Sequence, residues 1–209
     1  YTSKPTALFS NTQIENPNLM LEGMPNYRSG VDGLRVSNST KGGITFAAST
    51  TQNGIHMITV VLGVEAVDGD PYARFVATSS LMNYVVRTFV SSIVVKEGDP
   101  YGKSKASVMD GKSDTVLAVA KKDFYIVEKQ GSQAEPKIQF KSDQKSFRAP
   151  VKSGTSLGKL HYTDPDKIGR GYLEDQEPTV DMVAGRTIEK SFFLKVWWNE
   201  FVRYVNEKL

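Results

Sequence analysis

The sequence contains no cysteine, which excludes disulfide bonds, thiolate zinc sites and a cysteine nucleophile. It has only two histidines, His56 and His161, so a metal site built from several histidines is not expected. No stretch reaches the ~18 apolar residues that a membrane-spanning helix needs. The net charge of +3 arises from lysines and arginines interleaved with acids, without the basic stripe that binds nucleic acid. We therefore expect no metal, no cofactor and no nucleic-acid partner.

A meander of three strands is predicted near the start of the chain. The apolar fraction of 39% is sufficient for a folded core. Residues 31–37, 44–51 and 55–63 have the apolar content of strands, and Asn53-Gly54 joins the last two. Asn-Gly between apolar runs is a strong hairpin signal, because both residues tolerate positive φ. The preceding residues 1–30 are rich in Asn, Pro, Ser and Thr, which indicates loop with a short helix near residues 18–22.

A helix is predicted after the meander. Asp70 is placed as its cap and Pro71 at its first position, where a missing N–H costs nothing. Apolar residues from Phe75 to Val90 follow at helical spacing and indicate one broad buried face. Residues 93–95 then leave the helix as an extended run.

The character of the sequence changes at Lys96, where we place a domain boundary. Short alternating stretches separated by turn signals predict strands at residues 115–120, 124–128, 137–140 and 157–162. Short strands at this spacing are typical of a small all-β sandwich.

An amphipathic helix is predicted within residues 186–209. Its apolar stripe consists of Phe193, Leu194, Trp197, Trp198, Phe201, Val202, Tyr204, Val205 and Leu209. Such a stripe packs on a domain core or lies in a membrane interface, with its aromatic rings at headgroup depth. The aromatic content favours the membrane surface as the partner, and docking on the β-rich domain is the alternative.

One stretch carries a resemblance to a known family. Gly-Val-Asp-Gly-Leu-Arg-Val-Ser at residues 30–37 resembles the Asp-Gly-Leu-Lys-Thr-Gly strand of serine-type D-alanyl-D-alanine carboxypeptidases, the low-molecular-mass penicillin-binding proteins. Residues 18–24, 55–63 and 81–84 are similar to the lead-in, the last core strand and the closing helix of that family, in the same order.

The resemblance implies an α+β fold. Residues 1–95 would form the last strands and helix of a penicillin-binding, β-lactamase-like transpeptidase domain. Residues 96–185 would form a β-rich C-terminal domain, and residues 186–209 an amphipathic membrane-anchor helix.

The family's nucleophile motif, Ser-x-x-Lys, occurs here only in strand or turn context, at Ser142/Lys145 and Ser156/Lys159. A catalytic Ser-x-x-Lys requires a helix, so we interpret both as chance matches. Its Ser-x-Asn motif does not occur at all. We therefore predict no catalytic residue in this chain. An upstream part of the catalytic domain, or another chain, would supply the nucleophile.

The family's Lys-Thr-Gly motif is present in altered form. Arg35 replaces the lysine, keeps its positive charge and is able to bind a carboxylate through two nitrogens. Val36 replaces the threonine, so one hydroxyl is lost. Ser37 replaces the glycine, so the substrate has less room to approach the strand. The N–H of Asn38 holds the position that completes the family's oxyanion hole, and Ser39 offers a replacement hydroxyl. These five residues are the predicted substrate-binding site.

The resemblance implies trimming of peptidoglycan stem peptides through a serine acyl-enzyme, with acylation by β-lactams. The expected location is the extracytoplasmic face of the cell membrane, in a Gram-positive bacterium. The alternative is a non-catalytic, degenerate relative that binds cell wall or protein partners at the membrane surface. An upstream Ser-x-x-Lys and Ser-x-Asn would favour the enzyme, and their absence would favour the binding module.

Overall fold

The structure is a computed structural model that describes residues 2–65, 69–164, 166–169, 171–172 and 176–208, without the side chains of residues 203 and 206–208. Leu209 of the predicted apolar stripe therefore lies outside the described residues. The chain divides into two compact units. Unit one is Tyr1–Ser91 with Val127–Gly131, and unit two is Ser92–Ile126 with Ser132–Leu209.

Unit one contains two small antiparallel sheets and a helix. Its elements are β1 (Thr6–Phe9), β2 (Thr12–Glu15), β3 (Val31–Ser39), β4 (Gly43–Gln52), β5 (Ile55–Val64) and α1 (Ala73–Thr88). β1 pairs with β2, and the other three strands form a sheet in the order β3-β4-β5. The predicted meander is confirmed. Asn53 and Gly54 have φ values of 51° and 75°, so the turn uses the positive φ that these residues tolerate.

The core of unit one lies between this sheet and α1. The rings of Phe46 on β4 and Phe75 on α1 meet edge to face, with centroids 5.2 Å apart. Along β5, Ile55, Met57 and Val61 are buried on the helix side, because alternate residues of a strand point to opposite faces.

Three predictions in unit one are wrong at the residue level. Tyr72 is the N-cap residue of α1, and Asp70 instead accepts a hydrogen bond from the Tyr72 N–H at 2.8 Å. α1 ends at Thr88, and Phe89 begins a strand because its backbone is already extended. Residues 18–22 form turns held by the buried Asn18 side chain, which accepts from Met20 N and donates to Gly33 O.

Unit two is built on a six-stranded sheet. Its strands are β7 (Lys105–Met109), β8 (Thr115–Ala120), β10 (Lys137–Ser142), β11 (Phe147–Arg148), β12 (Ser156–Thr163) and β13 (Thr179–Ala184). They lie in the order β10-β12-β13-β8-β7-β11, antiparallel except for the β7–β11 pair. β6 (Phe89–Val95) and β9 (Phe124–Lys129) form a separate two-stranded sheet, and the division between the units passes through both.

The core of unit two includes residues from both sheets. Val95, Phe124 and Ile126 share one buried cluster with the inward residues of the six-stranded sheet, such as Val116 and Leu160. A second helix, α2 (Phe193–Lys208), follows β13. Within the described part of the chain, neither helix has the length and apolar content to cross a bilayer. The mixed, strand-rich architecture agrees with the predicted α+β class.

Candidate functional site

The predicted substrate-binding residues lie together on β3, an edge strand of its sheet. Arg35 stands opposite Ala47 of β4 and is exposed. Within the described residues, no hydrogen bond or ion pair of its guanidinium is found. One edge of β3 is paired with β4. On the other edge the Gly33 carbonyl already accepts a hydrogen bond from Asn18, so the part available to an extended peptide lies beyond Gly33.

Alternation along β3 separates the residues that follow Arg35. Val36 is half-buried and packs against the core of unit one, opposite Phe46. Arg35 and Ser37 are exposed and lie on the other face, because neighbouring strand residues point to opposite sides. The loss of the family's hydroxyl at Val36 therefore occurs on the side of the strand that faces the core.

Asn38 is held by a residue that the sequence analysis did not identify. Arg74, in the first turn of α1, is buried and donates through Nη1 to the carbonyl oxygens of Ser37 and Thr45, each at 3.1 Å. Its Nη2 donates to Asn38 Oδ1. Burial lowers the pKa of the Arg74 guanidinium, yet an arginine stays charged at neutral pH. This cation ties the end of β3 to β4 and α1.

Ser39 has a structural contact. Its Oγ accepts a hydrogen bond of 2.7 Å from the N–H of Gly42, in the turn between β3 and β4. A side chain at Gly42 would approach the same oxygen to 2.8 Å. The hydroxyl therefore helps to shape the hairpin that presents Arg35.

An Asp-Ser-His cluster on the same sheet differs from a hydrolytic triad. Ser49 Oγ donates to Asp32 Oδ1 at 2.7 Å and lies 3.3 Å from His56 Nε2. In a serine hydrolase the imidazole stands between the carboxylate and the hydroxyl and takes the proton of the serine. Here the serine stands in the middle and gives its only proton to the aspartate. The cluster joins β3, β4 and β5, and it provides no activated nucleophile.

The two Ser-x-x-Lys matches have no catalytic geometry. Ser142 lies at the end of β10 and its Oγ donates to the carbonyl of Gln144 at 2.8 Å. Ser156 and Lys159 lie on the strand β12 and not on a helix, so the lysine is not one helical turn from the serine. Among the described residues no group of three metal-binding side chains is found.

The second region of interest is α2, whose polar residues contact the β-rich part of unit two. Arg148 donates through Nη2 to Glu200 Oε1 at 2.5 Å, and its Nε lies 3.3 Å from Asp110 Oδ2. Asn199 Nδ2 donates to Asp110 Oδ1 at 3.4 Å. The side chain of Asp110 is only 2% exposed, so this arginine partly neutralises a buried carboxylate. We call Asp110, Arg148, Asn199 and Glu200 the helix clamp.

A further pair extends the same contact at the start of α2. Lys195 Nζ donates to Asp114 Oδ1 at 3.2 Å. None of these partners could be predicted from sequence, because they lie 52 to 89 residues from their helix positions.

The predicted apolar stripe of α2 is largely exposed. Trp197 is 60% exposed and Trp198 58%, and the ring of Phe201 stacks on that of Trp197 with centroids 5.9 Å apart. The other exposed members of the stripe are Phe193, Leu194, Val202 and Tyr204, and Val205 is half-buried. The helix thus turns its polar residues to the protein and its aromatic residues to solvent.

Comparisons with known proteins relate part of this chain to one family. Residues 89–190 match the family described as penicillin-binding protein 5, C-terminal domain. The D-alanyl-D-alanine carboxypeptidase DacA of Haemophilus influenzae is 28% identical over 133 residues, which are 63% of this chain and 32% of that protein. The chain thus spans about a third of the length of the curated relatives it matches.

Two solved structures share the fold over most of the chain. A peptidoglycan synthesis regulatory factor (PBP3) from Streptococcus pneumoniae is 45% identical, with a TM-score of 0.84 over 90% of this chain and 51% of that one. Penicillin binding protein 5 from Haemophilus influenzae is 22% identical, with a TM-score of 0.58 over 90% of this chain and 50% of that one. The second likeness concerns the fold alone.

Proposed function

We propose that this chain, which corresponds to the C-terminal portion of a low-molecular-mass penicillin-binding protein, supplies the carboxylate-binding strand of a D-alanyl-D-alanine carboxypeptidase and attaches it to the membrane surface. The observation that carries the proposal is the exposed Arg35 on an edge strand braced by Arg74. In this proposal residues 1–95 belong to the catalytic domain, residues 96–185 to the β-rich domain and residues 186–209 to the anchor.

The proposed reaction is an acyl transfer whose nucleophile lies outside this chain. A serine attacks the carbonyl of the penultimate D-alanine of a stem peptide, D-alanine leaves, and water hydrolyses the acyl-enzyme. A stem peptide pairs with the open edge of β3, and Arg35 binds its terminal carboxylate. The N–H of Asn38 stabilises the oxyanion. Penicillins acylate the same serine, because they present a carboxylate and a reactive carbonyl to the same groups.

The attachment to the membrane rests on α2. Its exposed stripe lies in the headgroup region of the outer face of the cell membrane, while the helix clamp stays on the β-rich domain. Lying flat leaves Glu200 in its contact with Arg148, whereas a crossing would place this carboxylate in hydrocarbon. The enzyme would then act on the cell wall, outside the cytoplasm.

The test uses the full-length product of the gene and fluorescent penicillin. Arg35→Ala is expected to slow acylation about ten-fold or more, because a charge-assisted contact to the ligand carboxylate is lost. Arg35→Lys restores the cation of the family motif and is the matched control, so it should acylate at close to the unchanged rate. Val36→Thr with Ser37→Gly restores the rest of the motif and should acylate faster.

Two outcomes would contradict the proposal. Equal acylation by Arg35→Ala and the unchanged protein would remove β3 from the site. A covalent penicillin adduct on residues 1–209 alone, detected by intact mass, would place a nucleophile where we predict none.

A further inference from the structure

A groove lies on the outer face of the six-stranded sheet, within unit two. Its volume is about 550 Å³, within the roughly 300–1,000 Å³ of ligand pockets. Leu117 and Val119 form its floor, since they alternate along β8 with the buried Val116 and Ala118. The lining consists of Gly98, Pro100, Lys105, Thr115, Leu117, Val119, Gly185 and Arg186.

Two cations flank the floor from opposite sides. Lys105 on β7 is paired with Leu117 in the ladder, and Gly185, next to Arg186, donates its N–H to the Leu117 carbonyl at 3.0 Å. Both cations are exposed, and no ion pair of either is found within the described residues. The lining contains no acidic residue. An anion bound here would therefore meet two unneutralised charges above an apolar floor.

The wall of the groove requires a glycine. A Cβ at Gly185 would lie 2.9 Å from Val119 Cγ1, so any side chain there would displace the floor. Gly98, another residue of the lining, has a φ of 81°, which favours glycine. The lining thus presents main chain without a Cβ at these two positions.

We infer that this groove binds a peptide that ends in a free carboxylate next to small aliphatic side chains. Arg186 and Lys105 are suited to the carboxylate, because arginine pairs with it through two nitrogens and lysine adds a point charge. Leu117, Val119 and Pro100 are suited to the methyl groups. A phosphate polymer would satisfy the cations but would leave this apolar floor uncovered.

The choice of an alanyl-alanine peptide as the probe rests on the proposed function. Such a peptide carries one carboxylate and two methyl groups. The groove lies in unit two and is separate from β3, so it would hold a stem peptide without cleaving it. Its test needs neither acylation nor vesicles, so its failure and the failure of the proposed function are distinguishable.

The experiment titrates the whole 209-residue chain, labelled with ¹⁵N, with diacetyl-L-lysyl-D-alanyl-D-alanine. Amide signals of Gly98, Leu117, Gly185 and Arg186 are expected to shift together. Arg186→Gln and Lys105→Gln should each weaken binding about ten-fold, the usual cost of a charge-assisted hydrogen bond. Lys122→Gln removes an exposed lysine of the same unit that does not line the groove and should leave binding unchanged.

Two further ligands distinguish the binding of a peptide carboxylate from the binding of a polyanion. The same peptide with a C-terminal amide should bind at least about ten-fold more weakly, because the carboxylate is gone. Equal binding of acid and amide overturns the inference. Glycerol phosphate that binds as tightly as the peptide acid, with the same shifts, also overturns it and indicates a polyanion site.

Discussion

Replacing Trp197 and Phe201 by glutamate tests whether the stripe of α2 is a membrane-binding surface. The two rings stack on each other at 5.9 Å and lie near the middle of the helix. Trp197 is 60% exposed and Phe201 is 48% exposed. Neither side chain is therefore a major part of the core of unit two. The double variant should lose vesicle binding while the β-rich domain keeps its stability.

The expected loss follows from the exposed area. An aromatic side chain buries roughly 150–250 Å² when fully covered, so the exposed parts of the two rings amount to roughly 250 Å² together. At about 25 cal/mol per Å², complete burial would contribute about 6 kcal/mol. A helix lying in the interface buries only one side, which reduces the contribution to about 3 kcal/mol. Binding should therefore weaken about a hundred-fold, and further on anionic lipid because two carboxylates are added.

Co-sedimentation with vesicles of mixed anionic and neutral lipid measures the partition coefficient. Tyr125→Glu with Ile168→Glu is the matched control, since it also replaces two exposed apolar side chains of unit two by acids. Moderate salt should weaken binding only slightly, because apolar burial dominates. Equal sedimentation of the double variant and the unchanged chain would refute the reasoning. A lowered melting temperature of the double variant without lipid would show that the stripe supports the domain.

Three other outcomes are expected. Arg148→Ala removes the guanidinium that pairs with the buried Asp110 and with Glu200. The free energy of unfolding in urea should therefore fall by about 1–2 kcal/mol, and an unchanged urea midpoint would contradict the helix clamp. Burial and nearby lysines lower the pKa of His161, so the folded state resists its protonation, and stability should fall as pH falls from about 7 to about 5. His161→Gln should flatten that part of the pH profile, and an equally steep profile would contradict the reasoning. An isolated fragment of residues 1–95 should associate or unfold, since the sheet face away from α1 is apolar and exposed. A fragment that is monomeric by light scattering and melts cooperatively in calorimetry would contradict this.

The parts of the fold that follow from neighbouring residues could be predicted from the sequence. The hairpin at Asn53-Gly54 depends on two adjacent positive φ values, and α2 depends on a repeat that returns every turn. The position of Arg35 on a strand was also predictable, because it too follows from neighbouring residues. The end of α1 at Thr88 was not, because Phe89 and Val90 continue the helical spacing although the backbone there is extended.

The contacts that define the two candidate regions could not be predicted from one sequence. Arg74 reaches Ser37 across 37 residues, and it resembles any other surface arginine in the helical pattern. Arg148 meets Glu200 across 52 residues, and nothing in the two-residue strand β11 indicates it. Each contact depends on the packing of elements distant in sequence. The same limit applies to Val36, whose place against the core follows from the register with β4.

The orientation of α2 also requires an explanation, because it reverses the usual rule for an amphipathic helix. A helix on a domain normally buries its apolar side, yet here polar contacts hold the helix and the tryptophans are in solvent. Exposed ion pairs contribute about 0.2–1 kcal/mol each, less than burying one large aromatic ring. We propose that another apolar surface covers the stripe, and a lipid interface would do so without breaking the helix clamp. Tryptophan emission of the lipid-free chain distinguishes this arrangement from a helix whose aromatic stripe packs on the domain. Solvent-exposed rings emit at long wavelength and shift to shorter wavelength when vesicles are added. Rings already packed on the domain would show no shift.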